Sequence, residues 1–273
     1  MVSPETHSQA IEAVQEQAER TARFIAGLSE PELDRPTPCK GWAVRDILAH
    51  LVTGGEGVRD TLRAVAAGQP TPGYDLRDQG VLNQRGVDSC RNDADLPQRF
   101  ERMLDELREV MADIEAKGLQ RAPFRFFAEM TPEQLSALLT ADVATHLWDL
   151  GQSVGRPQPP DPAILAKALP QMLVEVLPKT FLPDRARGLV CTYGIKLTDI
   201  PNGEWLVDVN DGTIAVTRAP IDDARVKTIA DAGTFVLVSY GRLSPLGLLL
   251  RGKVKSRGNP LLAMKFGALF QKV

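Results

Sequence analysis

Residues 131–155, TPEQLSALLTADVATHLWDLGQSVG, decide the fold. Thr131 stands where a helix N-cap belongs, Pro132 follows at the first helical position, and Gln134 three residues on completes a capping box. Residues three and four apart share a helix face. Asp142, His146 and Asp149 therefore form one polar stripe, and Val143, Leu147 and Leu150 lie off it toward a core. The chain has only three histidines, and this one lies a single turn from a carboxylate. The i, i+4 spacing suits two metal ligands, and it also suits an ordinary hydrogen-bonded pair.

Working outward, the first half of the 273-residue chain is helical in pattern. A first helix is expected over 3–28, with Ser3 as cap and Pro4 behind it. A second covers 42–68 and places Val44, Ile47, Leu48 and Leu51 on an apolar side. A third covers 96–118, with Phe100, Met103, Leu104, Leu107 and Met111 at helical spacing. Four long helices predict a bundle. The polar stretch 69–94 reads as a long loop, and such loops often bind ligands. On the second helix Asp46 and His50 repeat the i, i+4 arrangement. Two histidines and several carboxylates on separate helices are candidates to converge, and a catalytic metal needs about three protein ligands and an open position. His7, near the chain start, reads as structural or solvated.

The pattern changes near residue 157. GRPQPPDP (155–162) reads as a linker, and a fifth helix follows over about 161–179. The period then becomes two. GLVCTYGIKLTD (188–199), EWLVDVN (204–210) and TIAVTRA (213–219) read as successive antiparallel strands, the last two joined by an NDG hairpin turn. ARVKTIA (224–230) reads as a fourth strand. Apolar helical segments flank Ser244-Pro245, KVKSRG (253–258) is a short strand, and Asn259-Pro260 opens a final helix. The boundaries expected are 1–156 for the bundle and 157–273 for an α+β domain.

Hydrophobic content of 43% and charged content of 25% predict a packed core. A net charge of -3 argues against nucleic-acid binding through bulk electrostatics. Residues 241–273 are locally basic, a composition that suits an acidic small molecule, a membrane surface or a plain solvated face. No apolar run is long enough to span a membrane. The polar start excludes a secretory signal, and Cys39, Cys90 and Cys191 form no paired motif, so a cytoplasmic setting is expected. Cys39, with only Lys40 beside it in sequence, reads as an ordinary thiol. No phosphate-binding glycine loop or nucleophile elbow is present.

The segment LSEPELDRPTPCKGWAVRDILAHLVTGGEGVRD (28–60) resembles the DinB-like, mycothiol-dependent maleylpyruvate isomerase family. In that family a Trp precedes a helical His by eight residues; here these are Trp42 and His50. The family's Glu-x-x-x-His followed by Trp-Asp is matched by DVATHLWD (142–149). The resemblance implies a four-helix bundle holding a divalent metal, zinc first among candidates, through His50, Asp142 and His146. Asp142 departs from the family's Glu and is shorter by about 1.5 Å. Asp46 and Asp149 are then candidates to orient the imidazoles. Residues 165–273 resemble the sterol carrier protein fold through the Trp-x-x-Asp strand, the Asp-Gly hairpin and the Gly-Lys-Val-Lys strand.

What the resemblance implies is chemistry on a thiol cosubstrate, mycothiol, because a bound metal converts a thiol to the nucleophilic thiolate. The expected reaction is S-transfer or thiol-assisted isomerisation of a small electrophile. Arg77 and Arg85 are candidates to hold the thiol's anionic groups, and Arg218, Arg225 and Arg242 are further cations. The expected protein is a monomer or homodimer. The alternative is a lipid- or sterol-binding carrier in which the bundle is a scaffold.

Overall fold

The computed structural model describes residues 4–271, with side chains from residue 9 onward. The expected Ser3 cap and the His7 side chain lie outside the described residues. One compact unit spans Ile11–Pro159, and the other comprises Pro160 onward together with the start of the chain up to Ala10, so the later division falls inside the proline-rich stretch.

The helical unit contains α1 (Pro4–Ile25) from Ile11 onward, α2 (Glu30–Leu33), α3 (Val44–Ala66), α4 (Gln79–Cys90), α5 (Leu96–Ala116), a ribbon of β1 (Phe124–Arg125) and β2 (Glu129–Met130), and α6 (Pro132–Val154). The four long helices are those expected. Their core joins Ile25, Ile47, Leu48, Leu51, Phe100, Met103, Leu104, Leu150 and Val154. Burying each such aliphatic side chain contributes about 1.5–3 kcal/mol. Arg99 on α5 clamps Glu56 on α3 through two hydrogen bonds of 2.8 Å, a bidentate geometry that fixes the relative height of the two helices.

The expected long loop at 69–94 is corrected. After a 3-10 turn at Leu76–Asp78 it contains α4. Only Val87 and Cys90 of that helix are buried, so its apolar period is too sparse to read. Gly86 permits the close approach of α4 to α3, since a Cβ there would meet Thr53 Oγ1 at 2.5 Å.

From Pro160 onward the other unit opens with α7 (Pro162–Gln171), which loosens into a π-turn over Met172–Val176 and a 3-10 turn over Leu177–Thr180. Pro170 and Pro178 cannot donate to a regular helical ladder. There follow β3 (Val190–Leu197), β4 (Glu204–Asn210), β5 (Thr213–Arg218), β6 (Val226–Ala230), α8 (Ala232–Ser239), α9 (Pro245–Leu250), β7 (Lys255–Gly258) and α10 (Pro260–Phe266). The sheet order is β5-β4-β3-β6-β7. The β3-β4-β5 meander is antiparallel as expected. The fourth strand, β6, does not extend the meander: it crosses over and pairs parallel to β3, giving a mixed sheet. Asp211 at φ 43° and Gly212 at φ 84° form the hairpin turn, whose two positive φ angles match strand twist. Trp205 is fully buried beneath the sheet, with the Arg218 guanidinium 5.5 Å from its ring. This is a fold of helical bundle plus α+β domain.

Candidate metal centre

The capping box at the start of α6 is formed as the sequence predicts. Thr131 Oγ1 accepts from the Gln134 amide at 3.3 Å and Gln134 Oε1 accepts from the Thr131 amide at 3.2 Å. With the start pinned, the helical phase puts Asp142, His146 and Asp149 on one face. Leu147 and Leu150 are buried, while Val143 is only partly so. Asp149 is 0% exposed and His146 6% exposed, and an ion or polar group so placed requires partners.

His146 has a carboxylate on each side. Its Nδ1 lies 3.2 Å from Asp149 Oδ2 and its Nε2 lies 3.8 Å from Asp142 Oδ1. His50, brought in by α3, puts its ring centroid 4.9 Å from that of His146. Donor atoms of His50, Asp142 and His146 all lie within 4.8 Å of one another. Nitrogen and oxygen ligands sit about 2.0–2.2 Å from a zinc-like ion, so tetrahedral ligand pairs stand about 3.3–3.6 Å apart. The three residues are a candidate ligand set for such an ion, with side-chain rotation needed to close the wider spacings. Asp142 reaches the cluster despite its missing methylene, because α3 and α6 pack directly against each other.

Trp42, just before α3, walls the site with ring centroids 5.3 Å from His50 and 6.5 Å from His146. Its Nε1 donates to Gln84 of α4 at 3.1 Å, which ties that helix to the site. Burial opposes charge on His146, but the carboxylates of Asp142 and Asp149 and the neighbouring Cys39 outweigh it and push the imidazole up to about 10. A site that draws a proton onto a buried ring has the negative potential that attracts a cation. Burial, and then the charge of Asp142, push the Tyr74 phenol up to about 12. Tyr74, a residue that sequence patterning did not single out, donates its hydroxyl to Gln79 Oε1 at 3.4 Å and packs its ring on Phe126 and Phe127.

Cys39 is not the isolated thiol its sequence neighbours suggest. Thr37 and Trp42 close a tight loop, with the Thr37 amide donating to Trp42 O and the Trp42 amide to Cys39 O, each at 3.0 Å. Gly41 at φ 83° makes the turn possible. The loop delivers Cys39 Sγ to within 3.1 Å of Asp149 Oδ2, a partner 110 positions away in sequence.

The other three residues expected to orient or bind, Asp46, Arg77 and Arg85, have different surroundings. Asp46, 1% exposed, accepts from the Ala43 amide at 2.8 Å and pairs with Arg91 at 2.7 Å. It caps α3 and holds the end of α4. Arg77 is exposed and folds back on Asp75, whose carboxyl the guanidinium lowers to about 2. Arg85 is exposed on α4.

The profile described as mycothiol maleylpyruvate isomerase N-terminal domain matches residues 14–151, and that of the SCP-2 sterol transfer family matches residues 174–271. The crystal structure of the mycothiol-dependent maleylpyruvate isomerase is similar at TM-score 0.59 and 14% identity, with 92% of each chain covered. A histidine-to-alanine mutant of it gives TM-score 0.60. At that identity the likeness is one of fold. Hydroxysteroid dehydrogenase-like protein 2 of Xenopus tropicalis is 27% identical over 142 residues, 51% of this chain but 32% of the relative. The match thus spans about a third of that relative's length. An uncharacterized protein of Mycobacterium tuberculosis is 26% identical over 149 residues, covering 54% of this chain and 69% of the relative. No helix among the described residues is long and apolar enough to cross a membrane. The chain belongs to the mycothiol maleylpyruvate isomerase N-terminal domain family and carries a C-terminal domain of the SCP-2 family.

Proposed function

We propose that this chain is a metal-dependent enzyme that activates a low-molecular-weight thiol, mycothiol by family, for attack on a small electrophile. The outcome is thiol-assisted isomerisation, with S-transfer as the variant in which the thiol stays attached. The observation that carries the reading is the convergence of His50, Asp142 and His146 donor atoms within 4.8 Å.

His50, Asp142 and His146 would hold the ion, with zinc favoured by a donor set of imidazoles and carboxylate. The chemistry such an ion would supply is a lowered pKa for a thiol that reaches it, so that the thiolate would be available near neutral pH. The chain's own residues prepare for this. Asp149 Oδ2, 3.2 Å from His146 Nδ1, would keep a proton on that nitrogen and leave Nε2, which faces Asp142, as the ligand atom. Trp42 shields the ring faces, while the Asp142 side chain at 28% exposure marks the open side where a thiol enters. Tyr74, a neutral phenol throughout the physiological range, would exchange its hydrogen bond to Gln79 for one to an oxygen on the electrophile.

The test is metal content by elemental mass spectrometry on freshly purified protein, with mycothiol binding by calorimetry before and after chelation. About one transition metal per chain, and thiol binding that chelator abolishes, is expected. Absence of both would overturn the reading. The SCP-2 match over residues 174–271 supports a second reading, an apolar-ligand carrier, which co-purifying acyl lipid in place of metal would favour.

A further inference from the structure

No acidic residue follows Asp231, whereas seven lysines and arginines do, in a chain whose net charge is -3. The cationic character is therefore segregated at the C-terminal end. Lys272 lies outside the described residues. Arg251, Lys253, Lys255, Arg257 and Lys265 are all exposed, and none pairs with a carboxylate among the described residues. A stretch that keeps this many cations without a counter-charge carries a positive field that intramolecular pairing does not quench.

Apolar side chains are exposed on the same stretch. Leu246, Leu249 and Leu250 of α9 are 65%, 43% and 81% exposed. Their i, i+3, i+4 spacing puts them on one helical face. Leu261 and Met264 of α10 are 69% and 80% exposed and again stand three apart, with Lys265 next to them. Between the two helices runs β7, exposed along its whole length and at the sheet edge, where Lys255 and Arg257 alternate onto one side. Lysine on an edge strand discourages strand addition. That purpose does not account for five large apolar side chains left exposed within the same 19-residue stretch, 246–264, and exposed apolar groups of this size mark an interaction surface.

We propose that the α9–β7–α10 stretch docks on the surface of an anionic phospholipid bilayer. The leucines and Met264 would enter the headgroup-acyl boundary and the five cations would meet lipid phosphates. This combination of shallow apolar insertion with basic flanks is the chemistry of interfacial binding. A free anionic metabolite would engage the cations and leave the apolar rows unused. A second copy of this chain would bring the same unquenched positive charge against itself. The inference stands apart from the metal centre, whose residues it does not use.

The test is co-sedimentation of the full-length protein with vesicles of phosphatidylcholine alone and of equal parts phosphatidylcholine and phosphatidylglycerol. The expected result is binding to the anionic vesicles only, released at 1 M salt, where the Debye length falls to about 3 Å. The double variant Leu250→Glu/Met264→Glu and the triple variant Arg251→Glu/Lys253→Glu/Lys255→Glu should each weaken binding by about tenfold or more. Circular dichroism and Tm near wild type would show that both remain folded, since all five positions are exposed. No binding to anionic vesicles, binding unchanged in both variants, or a dimer in analytical ultracentrifugation that the Leu250→Glu/Met264→Glu variant dissociates would overturn the proposal.

Discussion

Asp149 Oδ2 lies 3.2 Å from His146 Nδ1 at a position with no solvent exposure. The same oxygen accepts from the Cys39 thiol at 3.1 Å, so one carboxylate orients the imidazole and anchors the loop that carries Trp42. Asp149→Asn keeps the shape and removes the charge. Loss of such an outer partner weakens metal affinity by about 10–100-fold. Asp46→Asn, by contrast, should cost about 1–3 kcal/mol of stability through the Arg91 pair and the α3 cap, with metal affinity nearly unchanged. Chelator competition and urea unfolding on both variants check the contrast, and equal metal loss in both would contradict it.

Removing either histidine should remove the ion. His50→Ala and His146→Ala are expected to lose bound metal and thiol-dependent turnover while keeping helical circular dichroism near wild type. The stability costs differ. His50 is partly exposed, but His146→Ala takes the imidazole away from the buried Asp149 carboxylate, leaves it the Cys39 thiol, and should cost about 1–3 kcal/mol. Full metal retention in both variants would disprove the ligand assignment.

In the metal-free protein His146 is raised from 6.5 to about 10. A raised pKa means that the folded state holds the proton more tightly than the unfolded state. The resulting stability is fully present below 6.5 and is lost as pH rises through about 10. Chemical unfolding of chelated protein from pH 6.5 to 10 should show this decline, and His146→Gln should flatten it. An ion has to displace the same proton, so metal binding near neutral pH should release protons. Calorimetry in buffers of different ionisation enthalpy measures that release.

Tyr74 reports on Asp142 without any metal. Because burial and the Asp142 charge both hold its phenol up near 12, Asp142→Asn should lower the titration midpoint by removing one of the two causes. Tyrosinate absorbance in the metal-free protein measures the shift. Tyr74→Phe assigns the signal, since Tyr193 is also pushed up to about 12. An unmoved midpoint would separate Tyr74 from the site.

Much of the architecture was written in local chemistry. Thr131, Pro132 and Gln134 mark the start of α6 because capping needs only neighbours in the chain. Asp211-Gly212 mark the hairpin because only residues tolerant of positive φ make that turn. Helix α4 escaped notice because two buried residues make no readable period, and the crossover to β6 because strand pairing partners are not encoded in strand period.

The site divides in the same way. Helical phase alone put Asp142, His146 and Asp149 on one face, since 3.6 residues per turn is a property of the backbone. Which carboxylate each ring would meet depended on packing between α3, α6 and the Cys39 loop. Asp46 and Asp149 looked equivalent in sequence, yet one went to Arg91 and the other to His146 and Cys39. Hydrogen bonds and ion pairs act over a few ångströms in space, and only the folded chain brings Cys39 and Asp149, 110 positions apart, within that reach.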